Sequence, residues 1–130
     1  MDTKVMVVGS EKSKNIRRKP RIRIAGFWLN AIGFEPESLV TAQYESKSII
    51  LKVEGSGLDT YRNVVRYARV NKTGLLQVKE QSHNGKITPH LEIKGFWLEM
   101  LGFKIGSLII VNYEYGSMNI RLLELDKLGF

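Results

Sequence analysis

A mainly β fold with short helices, of the α+β class, is predicted by three features of this sequence. The chain repeats itself at an offset of 69 residues, each copy opens on an alternation of apolar and polar residues, and each holds a glycine-bounded aromatic segment too short to stand as a helix alone. Residues 20–29, Pro-Arg-Ile-Arg-Ile-Ala-Gly-Phe-Trp-Leu, lie over residues 89–98, Pro-His-Leu-Glu-Ile-Lys-Gly-Phe-Trp-Leu. The match runs on without a gap through Gly33-Phe34 over Gly102-Phe103, Ser38-Leu39 over Ser107-Leu108, and Tyr44 over Tyr113. Both tryptophans of the chain fall at the same repeat position.

Each copy can be taken element by element. Ile22 and Ile24, like Leu91 and Ile93, alternate with charged or polar neighbours, the period-two pattern of a half-buried strand. Gly26 or Gly95 breaks that pattern. Phe27, Trp28, Leu29, Ala31 and Ile32 then follow at the spacing of a helix of about two turns that is apolar on most sides, and Phe96, Trp97, Leu98, Met100 and Leu101 do the same. Gly33-Phe34 and Gly102-Phe103 are helix stops, with glycine in the left-handed C′ position and phenylalanine folding back on the last turn. Two strands follow in each copy, 39–45 and 49–54 around a polar turn at 46–48, and 108–114 and 118–124 around a turn at 115–117. Residues 5–8 and 75–79 supply one more strand ahead of each unit. Trp28, Trp97, Phe34 and Phe103 are expected in the core, because large aromatics among apolar neighbours bury readily.

The division that results is a first unit over 1–54, a linker over 55–74 and a second unit over 75–130. Gly55-Ser56-Gly57 is a flexible break. Beyond it Leu58, Tyr61, Val65 and Ala68 recur at helical spacing with Arg62, Arg66 and Arg69 on another side, while the β-branched content also suits a hairpin of 65–70 with 75–79.

With 130 residues, 43% hydrophobic and 25% charged, the chain is of the size and composition of one globular domain. No apolar run approaches the roughly 20 residues of a spanning helix, and the first nine residues have no secretory pattern, so a cytoplasmic protein without membrane contact is expected. The absence of cysteine excludes disulfides, thiolate metal sites and a cysteine nucleophile. Charge is more informative. Lys12, Lys14, Arg17, Arg18, Lys19, Arg21 and Arg23 occupy one window without an acid, and Arg62, Arg66, Arg69 and Lys72 a second. Those eleven account for the whole excess behind the net charge of +7, since the nine remaining basic residues face thirteen acids. Such localised positive charge attracts polyanions by Coulomb steering and counterion release.

The pattern Pro-x-Ile-x-Ile-x-Gly-x-Trp-Leu-x-x-x-Gly-Phe followed by a turn and a β-hairpin, in residues 20–53 and again in 89–122 with Leu91 at the first isoleucine, resembles the SymE toxin domain. That domain is related to the AbrB and MazE swapped-hairpin DNA-binding fold. The resemblance covers about half of the chain in two blocks. It implies tandem swapped-hairpin units that form an intramolecular pseudo-dimeric barrel, normally made by two chains, and a tether's effective concentration on the order of millimolar favours pairing within the chain. It also implies a toxin-antitoxin setting and action on nucleic acid, DNA or RNA. A homodimer of such pseudo-dimers is the next assembly up. The copies are unequal, because Arg21 and Arg23 become His90 and Glu92, which argues against symmetric binding to a palindromic site.

The nucleic-acid-binding residues expected from charge are Lys12, Lys14, Arg17, Arg18, Lys19, Arg21, Arg23, Arg62, Arg66 and Arg69. Catalytic residues are few. Of the two histidines, His83 falls in the polar loop 82–85, and His90 is the one candidate acid or base for a metal-free ribonuclease. No metal-ligand spacing appears, no cofactor is called for, and Gly55-Ser56-Gly57 lacks the lysine and the strand-to-helix context of a phosphate loop. A binding protein is the first expectation, an endoribonuclease of the SymE type the second, and a protein-interaction module of a toxin-antitoxin pair the third.

Overall fold

The computed structural model of the chain describes residues 2–11 and 17–124. Along them run β1 (Asp2–Val7), β2 (Gly9–Glu11), β3 (Lys19–Ala25), α1 (Trp28–Ala31), β4 (Leu39–Glu45), β5 (Ser48–Gly55), α2 (Leu58–Asn71), β6 (Gly74–Gln77), β7 (Lys79–His83), β8 (Lys86–Lys94), α3 (Trp97–Met100), β9 (Leu108–Glu114) and β10 (Ser117–Leu122). The chain is thus mainly β. Its strands form two antiparallel sheets, one of six strands in the order β1-β9-β10-β5-β4-β6 and one of four in the order β2-β3-β8-β7.

The two halves interleave. β1 precedes the first unit but pairs with β9 of the second, and β6 precedes the second unit but pairs with β4 of the first. The hairpins meet through β5 and β10, and the entering strands β3 and β8 pair with each other. Backbone bonds between the halves come in reciprocal pairs. Val8 N–H donates to the Ser107 carbonyl and Val78 N–H to that of Ser38, both at 2.9 Å. Gly26 donates to Pro89 and Gly95 to Pro20 at 3.2 Å, and Lys47 donates to Leu101 and Gly116 to Ile32 at 2.7 Å. This is the bonding of an approximate two-fold axis inside one chain.

A closed barrel, expected from the sequence, is not formed. The ladder breaks at Val8 and Val78, where the chain passes from one sheet to the other and spends its backbone bonds on the turns at Gly106-Ser107 and Glu37-Ser38 instead of on a neighbouring strand. The result is two sheets over one core. Ile22, Ile24, Leu91 and Ile93 face inward from the four-stranded sheet, and Val40, Ala42, Ile49, Leu51, Ile109, Val111, Met118 and Ile120 from the six-stranded one. Phe34 and Phe103 are fully buried among them, as expected.

The helix stops also form as read, on helices shorter than the two turns expected. Phe34 N–H reaches the Leu29 carbonyl at 2.9 Å and Gly33 N–H that of Asn30 at 3.2 Å, with the same bonds from Phe103 to Leu98 and from Gly102 to Glu99, which is the Schellman pattern. The tryptophans depart from expectation. Trp28 is half-buried and Trp97 is 39% exposed. In helices of four residues the inward position is taken by Leu29 and Leu98, and the tryptophan one residue earlier points about 100° away. Each indole instead lies back over the glycine two residues before it. Gly26 and Gly95 have φ of 143° and 146°, and a Cβ on Gly26 would stand 2.5 Å from Trp28 Cδ1. Each ring then packs on a tyrosine of the other half, Trp28 on Tyr113 and Trp97 on Tyr44, with centroids 4.7 Å apart in both cases.

Residues 58–71 form a helix, and the rival hairpin over 65–70 is absent. The face expected to be apolar is not the one that docks. Val64 and Ala68 are buried, while Leu58 and Tyr61 stay 64% and 51% exposed. The reason lies beneath the helix, where the hairpin of β4 and β5 presents a largely polar outer surface of Thr41, Gln43, Lys52 and Glu54, so that only small apolar groups approach it closely. Among the described residues no helix is long and apolar enough to cross a membrane.

Candidate nucleic-acid interface

The outer face of the four-stranded sheet carries the first basic group. Alternation along β3 buries Pro20, Ile22 and Ile24 and turns Lys19, Arg21 and Arg23 outward, as read from the sequence. Antiparallel register sets Arg21 opposite Lys94, Arg23 opposite Glu92, and His90 between Ala25 and Lys79. Glu92 is therefore surrounded by basic side chains. Its carboxylate lies 3.7 Å from Arg23 Nε, 3.9 Å from Lys94 Nζ and 4.0 Å from His90 Nε2. Lys94 also reaches Glu11 at 3.2 Å. Lys79, His90, Glu92 and Lys94 share the wall of a shallow cavity of about 370 Å³. Two polar atoms on this face, Arg21 Nε and His90 Nδ1, are buried without a hydrogen-bond partner.

In the described part of the expected arm, Arg17 and Arg18 are engaged with the protein itself. Arg17 is ion-paired with Glu99 and its guanidinium stands 4.8 Å over the Phe96 ring. Arg18 donates to the Ser10 hydroxyl at 3.3 Å. Lys12 and Lys14 lie outside the described residues. His83, read as a loop residue, ends β7, because the turn is made by Asn84 and Gly85, both at positive φ.

The second group sits on α2, which packs on β4, β5 and β6 of the other sheet, so the fold does not merge the two basic groups on one sheet. Arg62, Arg66 and Arg69 succeed one another at i, i+4 and i+7 and are exposed. Among the described residues none of the three has an acidic partner, because the sole acid of the helix, Asp59, lies in the first turn. Tyr61, Val65 and Val70 flank them along a shallow groove.

Residues that the sequence reading missed lie beneath α2. A cavity of about 590 Å³ opens between the helix and the outer face of the β4–β5 hairpin, with Ile50 and Val64 as its apolar surface and Gln43, Lys52, Glu54, Asn63 and Tyr67 among its polar ones. Glu54 is held by the Thr41 hydroxyl, which donates to Oε1 at 2.9 Å. Thr73 Oγ1, in the same wall, is buried and has no partner. No signal in the sequence marks this site, since its two walls follow one another in the chain but face each other only once α2 packs back on the hairpin. Among the described residues no group of three or more histidines or acids could hold a metal ion. The Tyr44 phenol is pushed above its ordinary value by burial.

No protein family, curated protein or solved structure was found to match this chain.

Proposed function

We propose that this chain is a nucleic-acid-binding protein of the SymE-like kind, in which one chain carries out the swapped-hairpin pairing of two, and that it holds DNA or RNA by phosphate contacts. The observation that carries this reading is the state of the arginines. Arg62, Arg66 and Arg69 form an exposed row without acidic partners among the described residues, whereas Arg17 and Arg23 are already in ion pairs. A row from i to i+7 spans about 10.5 Å at 1.5 Å per residue, the rise of about three phosphates along one strand at 3.4 Å each. The exchange of β1 and β6 between the halves supports the pseudo-dimeric reading of the fold. Lys19 and Arg21 on β3 are a second, weaker phosphate surface.

Phosphate contacts position a nucleic acid without reading its sequence, so the binding is mainly non-specific. The test is fluorescence anisotropy on duplex DNA and single-stranded RNA over a salt series. Log K falls by roughly 0.9 per neutralised phosphate per decade of salt on duplex and 0.7 on a single strand. Replacing Arg62, Arg66 and Arg69 by alanine lowers that slope by about 2 to 3, while Arg17→Ala with Arg23→Ala changes it little. An unchanged slope in the triple variant, or no binding by the parent at low salt, assigns the charge to solubility or to an acidic protein partner.

One observation favours a second reading, an endoribonuclease. His90 is only 15% exposed in its side chain, its Nδ1 has no partner, and its Nε2 faces Glu92 amid Arg23 and Lys94. In that reading the 2′-oxygen of RNA attacks phosphorus and the bond to the 5′-oxygen breaks, leaving a cyclic phosphate. One of the pair takes the 2′-hydroxyl proton and the other returns a proton to the leaving oxygen. Chelator-resistant cleavage of labelled RNA that His90→Ala abolishes would support it, and intact RNA with the parent protein excludes it.

A further inference from the structure

We infer that the cavity between α2 and the β4–β5 hairpin receives one unpaired nucleobase of a single strand whose phosphates lie on the α2 arginines. The inference rests on the phosphate-binding reading above and adds a base-binding slot to it.

Shape is the first argument. A helix laid over a sheet leaves a slot wherever the side chains between them are too small to fill it, and here Val64 and Ala68 are the ones that make the contact. The volume of about 590 Å³ falls within the 300–1,000 Å³ typical of small-ligand sites. Ile50 and Val64 offer an apolar surface to a flat ring, and the Tyr67 ring, half exposed at the mouth, offers a stacking partner.

Chemistry is the second. Every nucleobase presents an edge that carries both donors and acceptors, and this wall presents the same mixture. The Gln43 and Asn63 amides each donate and accept, Lys52 donates, and Glu54 accepts through the oxygen that Thr41 leaves unused. The buried Thr73 hydroxyl adds a polar group that no protein atom satisfies, a state that is costly unless something else completes it.

Placement is the third. Arg62 and Arg66 immediately precede Asn63 and Tyr67 on the helix, about 100° around it, so cations border the slot where the backbone of a bound base would run. The tandem units share their strands by the two-fold, but among the described residues the second unit has no counterpart of α2. The slot therefore occurs once among the described residues.

The experiment compares a dodecamer of deoxyadenosine with a dodecamer of abasic sites, which has equal charge and no bases, by anisotropy at about 50 mM salt. The parent protein binds the base-bearing strand about tenfold more tightly, the scale of one base–aromatic stack. Asn63→Trp, which plugs the slot from an exposed helix position, and Tyr67→Ala both bring the two strands to the abasic affinity. Thermal melts confirm folding of each variant, and Gln43→Ala, on an exposed strand position, serves if either fails to fold. Equal affinity of the parent for both strands overturns the slot and leaves the phosphate reading standing. No binding of either strand overturns both. A tenfold preference that survives in all folded variants places base contact elsewhere and also refutes the inference.

Discussion

Substituting alanine for Gly26 tests the physical reading of the Gly-Phe-Trp-Leu motif. The position combines two demands. Its φ of 143° lies in a region that residues with a Cβ rarely adopt, and the added methyl would stand 2.5 Å from Trp28 Cδ1 and 2.6 Å from Nε1. The indole cannot simply swing away, because Nε1 donates to the Ala25 carbonyl at 3.2 Å and the ring packs at a tilt on Tyr113. Backbone strain of this kind costs about 1 to 3 kcal/mol and overpacking about 1 to 3 more, so Gly26→Ala is expected to lose about 2 to 6 kcal/mol. Urea unfolding followed by tryptophan fluorescence measures it, and Gly95→Ala at the related position should match within about 1 kcal/mol, an allowance of the order of the scatter between like sites. A double-mutant cycle with Trp28→Ala separates the two terms. Once the indole is gone the glycine change should cost only the backbone share, a coupling of at least about 1 kcal/mol. Additive effects, or a single-variant cost below about 1 kcal/mol, would refute the argument that the motif is a glycine–indole contact.

Other outcomes follow from packing and charge. Phe34→Ala should lose about 3 to 5 kcal/mol in the same assay, whereas Met100→Ala, at a side chain 87% exposed, should stay within about 0.5 kcal/mol. Burial raises the Tyr44 phenol above its ordinary value, so above pH about 10 the unfolded chain loses that proton before the folded one does. The folded state then holds more protons, stability falls with rising pH in that range, and Tyr44→Phe should flatten the fall in alkaline denaturation. Glu92→Gln removes the carboxylate shared by Arg23, Lys94 and His90, and should raise low-salt affinity for duplex DNA and steepen its salt dependence, as a titration series would record.

The repeat, the period-two strands and the Schellman stops could all be read from the sequence, because each depends on residues within a few positions of one another. Gly33-Phe34 bonds to Asn30 and Leu29, residues only three and five positions earlier. The outward projection of Arg21 and Arg23 was equally legible from their alternation with Ile22 and Ile24. The tryptophans were not. Their place follows from helices of only four residues and from tyrosines supplied by the other half, neither of which leaves a local mark. Nor does periodicity tell which face of α2 docks, since both the Leu58-Tyr61-Val65-Ala68 face and the Val64-Ala68 stripe are consistent with a helix. The surface below it decides.

By itself, then, the sequence determined a twofold-repeated, mainly β chain with two basic segments. Tertiary structure alone decided which charges remain available. Arg17 and Arg23 meet Glu99 and Glu92, partners 82 and 69 residues away along the chain, while no acid among the described residues pairs with Arg62, Arg66 or Arg69. Likewise the slot under α2 exists because a helix from the linker crosses the outer face of a hairpin that ends before it begins. The ion pairs join segments remote in the chain and the slot depends on how α2 folds back on its neighbour, and both are set by the packing of the whole core, which local composition does not record.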